Sequence, residues 1–136
     1  MAWLIPTLLY VLLVGGLGVT GKLALKTLSW PDLILWTAVG YLLVAVVLAV
    51  IGQTAVRITT GTGWAMLSAG LAIGGLIALY IALGAGPAGS VVAISAAYPA
   101  VTVVLAALFL AEPLSPGRVL GTGLIIAGVA IVSLSR

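Results

Sequence analysis

The sequence predicts an all-α integral membrane protein of five transmembrane helices. Three observations carry that prediction. Of the 136 residues, 64% are hydrophobic and only 5% are charged, whereas a soluble domain carries roughly 25% charged residues. The mean hydropathy is +1.44, so the chain could not cover its surface with groups that water solvates. Charge, Pro and Gly cluster at intervals that leave five apolar runs, each near the ~20 residues a helix needs to cross the hydrocarbon core. Disorder is excluded on the same grounds, because a disordered chain is poor in apolar residues.

The first span is expected at about 3–21, with room for helix to continue to Thr27. It starts beside Ala2 with no basic leader, a poor match to a signal peptide, so it is expected to stay in the mature protein. Lys22, Lys26, Ser29, Pro31 and Asp32 mark the first loop. Ser29 suits the N-cap of the second span, about 32–51, and Asp32 in its first turn complements the helix dipole. The loop 53–63, with Arg57, is the longest. The third span is about 63–83. GAGPAG, residues 84–89, carries no charge and predicts a tight turn. The fourth span is about 87–111. In EPLSPGR, Ser115 suits an N-cap and Pro116 a first helical residue, opening the fifth span, about 116–134. One domain over 1–136 is expected.

The tryptophans fit this register. Trp3 and Trp64 fall at one membrane face, Trp30 at the other and Trp36 just inside it, as in an aromatic belt; ligand contact is the competing role. Call the N-terminal face A. Face A then carries Arg57 and Arg118 with Glu112, and face B carries Lys22, Lys26 and Arg136 with Asp32. Orientation follows the Lys/Arg bias between faces, which here is two against three. A chain so balanced is expected to insert both ways, unless the closeness of Lys22 and Lys26 selects one orientation.

Several chemistries are excluded. There is no Cys and no His, which removes thiol chemistry, disulfides and the usual zinc sites. Two carboxylates cannot cage a metal. No nucleophile–base set is available, so an enzyme is not expected. No cofactor and no nucleic-acid partner are expected, because the basic residues sit at helix ends as membrane anchors.

Each of the first four spans carries one tyrosine: Tyr10, Tyr41, Tyr80 and Tyr98. Tyr80 is expected near face B and the other three well inside the membrane, where a hydroxyl needs a partner or water. Ser95, Tyr98 and Thr102 stand at i, i+3 and i+7, one helix face. Pro99 cannot donate to the Ser95 carbonyl, which leaves an acceptor beside that face. This face, with Tyr10 and Tyr41, is the candidate wall of a substrate cavity. The alternative is hydroxyl glue between helices. Lys22 and Lys26 share a helix face, where like charges repel and draw in water or anionic lipid. Snorkelling accounts for Lys22; a charge role toward an anionic substrate is the other reading. Small residues mark packing faces: Gly117, Gly121 and Gly128 with Leu124 on the fifth span, Gly70 and Gly74 on the third, and Gly15, Gly16, Gly18 and Gly21 on the first.

The stretch from Tyr80 onward resembles the C-terminal part of an EamA domain, the repeat unit of the drug/metabolite transporter superfamily. The matching features are Tyr80 and Ala82 before a small-residue turn, Pro99 within the fourth helix, and Glu112 before Leu114 and Ser115. Gly117, Gly121 and Gly128 follow in the fifth helix. The fit covers roughly the last 55 residues. Earlier helices fit by pattern only, through an N-terminal Trp, a Lys closing helix 1 and a Pro before helix 2. An arginine that the family often places early in helix 2 is missing, and Tyr41 lies near that region.

The resemblance implies one five-helix repeat of a fold that usually holds two repeats in opposite orientation. Such inverted repeats place the substrate site at their interface near mid-membrane. A single repeat is then expected to complete the fold by dimerisation, as an antiparallel homodimer, which the balanced charges also favour. The fifth helix is the candidate for crossing between chains; ordinary packing within one chain is the alternative. Glu112 is implied to fix the helix 4–helix 5 turn, with Arg118 as partner, and a direct charge role in transport is the lesser reading. The implied function is alternating-access transport of a small metabolite or drug-like molecule. The implied location is the prokaryotic cell (inner) membrane, multi-pass, in contact with membrane lipid. With no mid-membrane carboxylate, uniport or facilitated export of a neutral, zwitterionic or apolar-aromatic molecule is expected. The competing functions are a non-transporting subunit of a heteromer and a flippase for a lipid or lipid precursor.

Overall fold

A computed structural model describes residues 3–54 and 58–135; Arg57 and Arg136 lie outside them. Six helices follow one another: α1 Leu4–Ala24, α2 Trp30–Val50, α3 Gly61–Ala85, α4 Ala88–Ser95, α5 Tyr98–Phe109 and α6 Pro116–Leu134. No strand occurs among the described residues. With α4 and α5 counted as one span, five helices are long and apolar enough to cross a membrane. The chain is therefore the all-helical protein that its composition predicts. The spans begin and end within a few residues of the expected ones.

Local chemistry sets these boundaries. Ser29 caps α2: its hydroxyl accepts the Asp32 N–H at 3.4 Å, and its own N–H donates to the Asp32 carboxylate at 3.0 Å. This reciprocal capping box satisfies two N-terminal donors at once. At the other end of α2, Gly52 takes φ +69°. Its N–H donates to the Ala49 carbonyl, and the Gln53 N–H donates to the Leu48 carbonyl. This is a Schellman motif, and glycine is the residue that enters its left-handed position without a Cβ penalty. Ser115 caps α6 by accepting the Arg118 N–H at 3.3 Å, with Pro116 at the first helical position.

Two boundaries differ from the sequence expectation. Helix α1 stops at Ala24. The Lys26 and Thr27 N–H groups then donate three residues back, to Leu23 and Ala24, so the chain tightens instead of continuing as α-helix to Thr27. The fourth span is two helices rather than one run to 111. It breaks at Ala96 and Ala97 and ends at Phe109. Pro99 has no N–H to donate and its ring crowds the preceding turn, which places the break just ahead of it. The Ala96 N–H is shared between the Val92 and Ala93 carbonyls.

The chain forms two compact units. One comprises α1 up to Gly18 together with the chain from Gly86 onward, with α4 and α5 both packed on α6. The other is Val19–Ala85, in which α2 packs on α3. In the first, Gly18 is buried and a Cβ there would overlap Val92 Cγ2. In the second, Tyr80 and Leu83 are the buried hydrophobic side chains, at 3% and 0% exposure. They lie on buried Gly21, whose added Cβ would stand 3.4 Å from Leu83 Cδ1 and 3.5 Å from Tyr80 Cε1. Glycine there allows the close helix approach on which association in lipid depends.

Candidate functional site

The break before Pro99 organises the polar residues of the first unit. Ser95 ends α4 and Tyr98 begins α5, so the two flank the break, while Thr102 follows one turn along α5. All three side chains are exposed. The Ser95 hydroxyl donates to the Val91 carbonyl at 2.8 Å, and Thr102 donates to the Tyr98 carbonyl at 3.3 Å. Both hydroxyl protons are therefore spent on backbone, and the two oxygens face outward as acceptors.

Tyr10, on α1, joins this set through a side-chain hydrogen bond to Tyr98. Each phenol is about half exposed, Tyr10 at 50% and Tyr98 at 53%. In a phenol pair, one O–H donates to the other, and the second O–H remains to donate elsewhere. The ensemble thus presents one phenolic donor and several neutral acceptors, and it carries no charge. Tyr41 lies on α2 in the second unit, 70% exposed.

Lys22 occupies a different place. Its ammonium, half-buried, donates to the Leu83 carbonyl at 2.6 Å. Leu83 is in the last turn of α3, where carbonyls lack intrahelical partners. The residue four further on is Pro87, which has no N–H. A cation at a helix C-terminus also complements the dipole. Beside it, the buried Tyr80 hydroxyl lies 3.2 Å from the Thr37 hydroxyl, which donates to the Leu33 carbonyl at 2.8 Å. Thr37 was not singled out from the sequence. The available signal was a hydroxyl in the second turn of one span, at the membrane face where Tyr80 was expected.

Glu112 accepts from Arg118 Nη1 at 2.8 Å, with the two side chains about half exposed. Arg118 Nη1 also reaches the Pro113 carbonyl at 3.4 Å. Both carboxylates of the chain are thus held at helix ends, Asp32 in a cap and Glu112 across the α5–α6 turn. On α6, the half-buried positions are Thr122, Val129, Val132 and Ser133. Gly117, Gly121 and Gly128 lie roughly 120° around the helix from Thr122, Val129 and Ser133, and nearer to Val132. A Cβ at any of these three glycines would meet nothing within 4 Å.

Few charges, those among the described residues lying near helix ends, and five apolar helices define an integral, multi-pass membrane protein. The chain belongs to the EamA-like transporter family, whose model matches residues 1–134; these are membrane transporters of the drug/metabolite superfamily. It is also similar to an uncharacterized protein of Methanocaldococcus jannaschii, 42% identical over 73 residues, which are 54% of this chain and 53% of that protein. The match thus spans about half the length of that relative. No solved structure matches the chain.

Proposed function

We propose that this chain is a small transporter that moves a small metabolite or drug-like molecule by alternating access as an antiparallel, dual-topology homodimer. Residues 1–136 act as a single EamA-like domain, one repeat of an inverted-repeat fold. The observation that carries this reading is the open glycine face of α6 in a chain of five spans. Gly117, Gly121 and Gly128 offer backbone to a neighbour, and among the described residues nothing would lie within 4 Å of a Cβ added to them. A second copy in opposite orientation fits that face, and the near-equal Lys/Arg count on the two membrane faces supports such an arrangement.

The substrate wall is Ser95, Tyr98, Pro99 and Thr102 with Tyr10; Tyr41, on α2, is a separate candidate cavity residue. An uncharged wall of one donor and several acceptors suits a neutral or zwitterionic molecule. Asp32 and Glu112 are engaged at helix ends, which favours uniport over proton exchange at a mid-membrane carboxylate. The location proposed is the prokaryotic cell (inner) membrane; of this, the similarity to an M. jannaschii protein supports a prokaryotic setting alone.

Topology reporters fused after residue 136, one active only in the cytoplasm and one only outside it, test the arrangement. Strong signals from both are expected. A signal from one alone removes the antiparallel homodimer and leaves a parallel oligomer or one half of a heteromer.

A further inference from the structure

A cavity of about 530 Å³ lies along one face of α2, lined by Asp32, Leu35, Trp36, Ala38, Val39 and Leu42. It is built unlike the polar wall in the first unit. Its floor is aliphatic, and its polar groups gather at one end. Leu35, Trp36 and Leu42 are each about two-thirds exposed.

The carboxylate at that end is only partly used. Both bonds from Ser29, one from its N–H and one from its hydroxyl, go to Asp32 Oδ2. Among the described residues, Oδ1 has no protein partner. Trp36 stands one helical turn away, at a separation where side chains meet. A carboxylate oxygen with an indole one turn along the same helix is complementary to an ammonium group, through an ion pair and a cation–π contact together. An anion would be repelled by the same carboxylate.

Length fixes the rest of the ligand. From Asp32 to Leu42 is ten residues, a rise of ~15 Å. The hydrocarbon core is about 30 Å thick, so the groove runs from the interface to the bilayer midplane. That is the depth of one acyl chain in one leaflet. A small metabolite would leave most of this apolar floor uncovered.

We infer that this groove binds a membrane phospholipid whose headgroup ends in an ammonium. The headgroup sits on Asp32 Oδ1 and the Trp36 face, and one acyl chain lies along Leu35, Val39 and Leu42. The site is independent of the transport reading, since it shares no residue with the proposed substrate wall.

The test uses the full chain reconstituted into bilayers, with Trp3, Trp30 and Trp64 each changed to Phe so that Trp36 alone fluoresces. Brominated-acyl phosphatidylethanolamine and brominated-acyl phosphatidylglycerol are compared as quenchers. The relative binding constant at Trp36 is expected to favour phosphatidylethanolamine about five-fold and to fall to about one in Asp32→Asn. Asparagine keeps an acceptor for the Ser29 N–H, so the cap of α2 survives. Should the three-Phe protein fail to fold, native mass spectrometry of the otherwise unaltered chain and its Asp32→Asn form reads the same preference. Equal binding of the two lipids overturns the inference, as does a preference unmoved by Asp32→Asn. Quenching by neither lipid also overturns it, because protein then covers the groove.

Discussion

Replacing Lys22 with Met separates a structural role from a charge role at this position. Met keeps most of the aliphatic stem and removes the ammonium that donates to the Leu83 carbonyl at 2.6 Å. A hydrogen bond from a charged donor contributes about 1.5–3 kcal/mol. A cation at a helix C-terminus adds about 0.3–1 kcal/mol. Against these stands the rotamer freedom that an ordered lysine gives up, on the order of 1–2 kcal/mol. The net loss is about 1.4 kcal/mol, a ~10-fold change in the unfolding equilibrium. Reversible unfolding in bicelles, followed by steric trapping or denaturant titration, measures it. Lys22→Arg retains the charge but spreads it over a planar fork, so about half the loss is expected. If Lys22→Met unfolds within about 0.5 kcal/mol of the parent while its transport rate collapses, the capping argument fails and the ammonium serves the substrate instead.

Three further outcomes follow from the packing. Gly18→Ala should destabilise the parent by up to ~2 kcal/mol, because overpacking against Val92 outweighs the helix-propensity gain of alanine. In a Val92→Ala background the same change should stabilise by up to ~1 kcal/mol, and paired melting curves show whether the sign reverses. Tyr80→Phe removes the hydroxyl facing Thr37 but keeps the ring on Gly21. A loss of about 1 kcal/mol is expected, since Thr37 retains its bond to the Leu33 carbonyl. Ala111, at φ +52°, sits in the left-handed region where a Cβ costs roughly 1 kcal/mol. Ala111→Gly should therefore raise Tm with little effect on transport.

Much of the architecture was legible in the sequence because helix ends have their own chemistry. Ser29 with Asp32, and Ser115 with Pro116, announce two helix starts from residue type and spacing alone. Pro99 announced a disturbance in the fourth span, but not that the helix would open at Ala96 and Ala97. Which faces meet was largely hidden. A span that is apolar all round gives the same pattern whether a given side touches protein or lipid. The Lys22–Leu83 and Tyr80–Thr37 contacts join residues 61 and 43 positions apart, and no periodicity encodes such pairs. The candidate wall was legible in part. Thr102 and Tyr98 share a helix as their spacing implies, but the partnership of Tyr10 with Tyr98 depends on the packing of distant segments.

The scarcity of buried side chains bears on how such a chain can diverge. Among the described hydrophobic residues, Tyr80 and Leu83 alone are buried. Most of the others face surroundings that lipid tails fill with material as apolar as leucine. Exchanging one aliphatic residue for another there leaves the transfer energy nearly unchanged. Drift at those positions is close to free, and relatives can lose aliphatic identity quickly while keeping the same helices. The slow-changing record of kinship is then expected in the residues that shape backbone: Gly18 and Gly21 at close approaches, Gly52 in its left-handed turn, Pro99 at the break, and the serines that start helices.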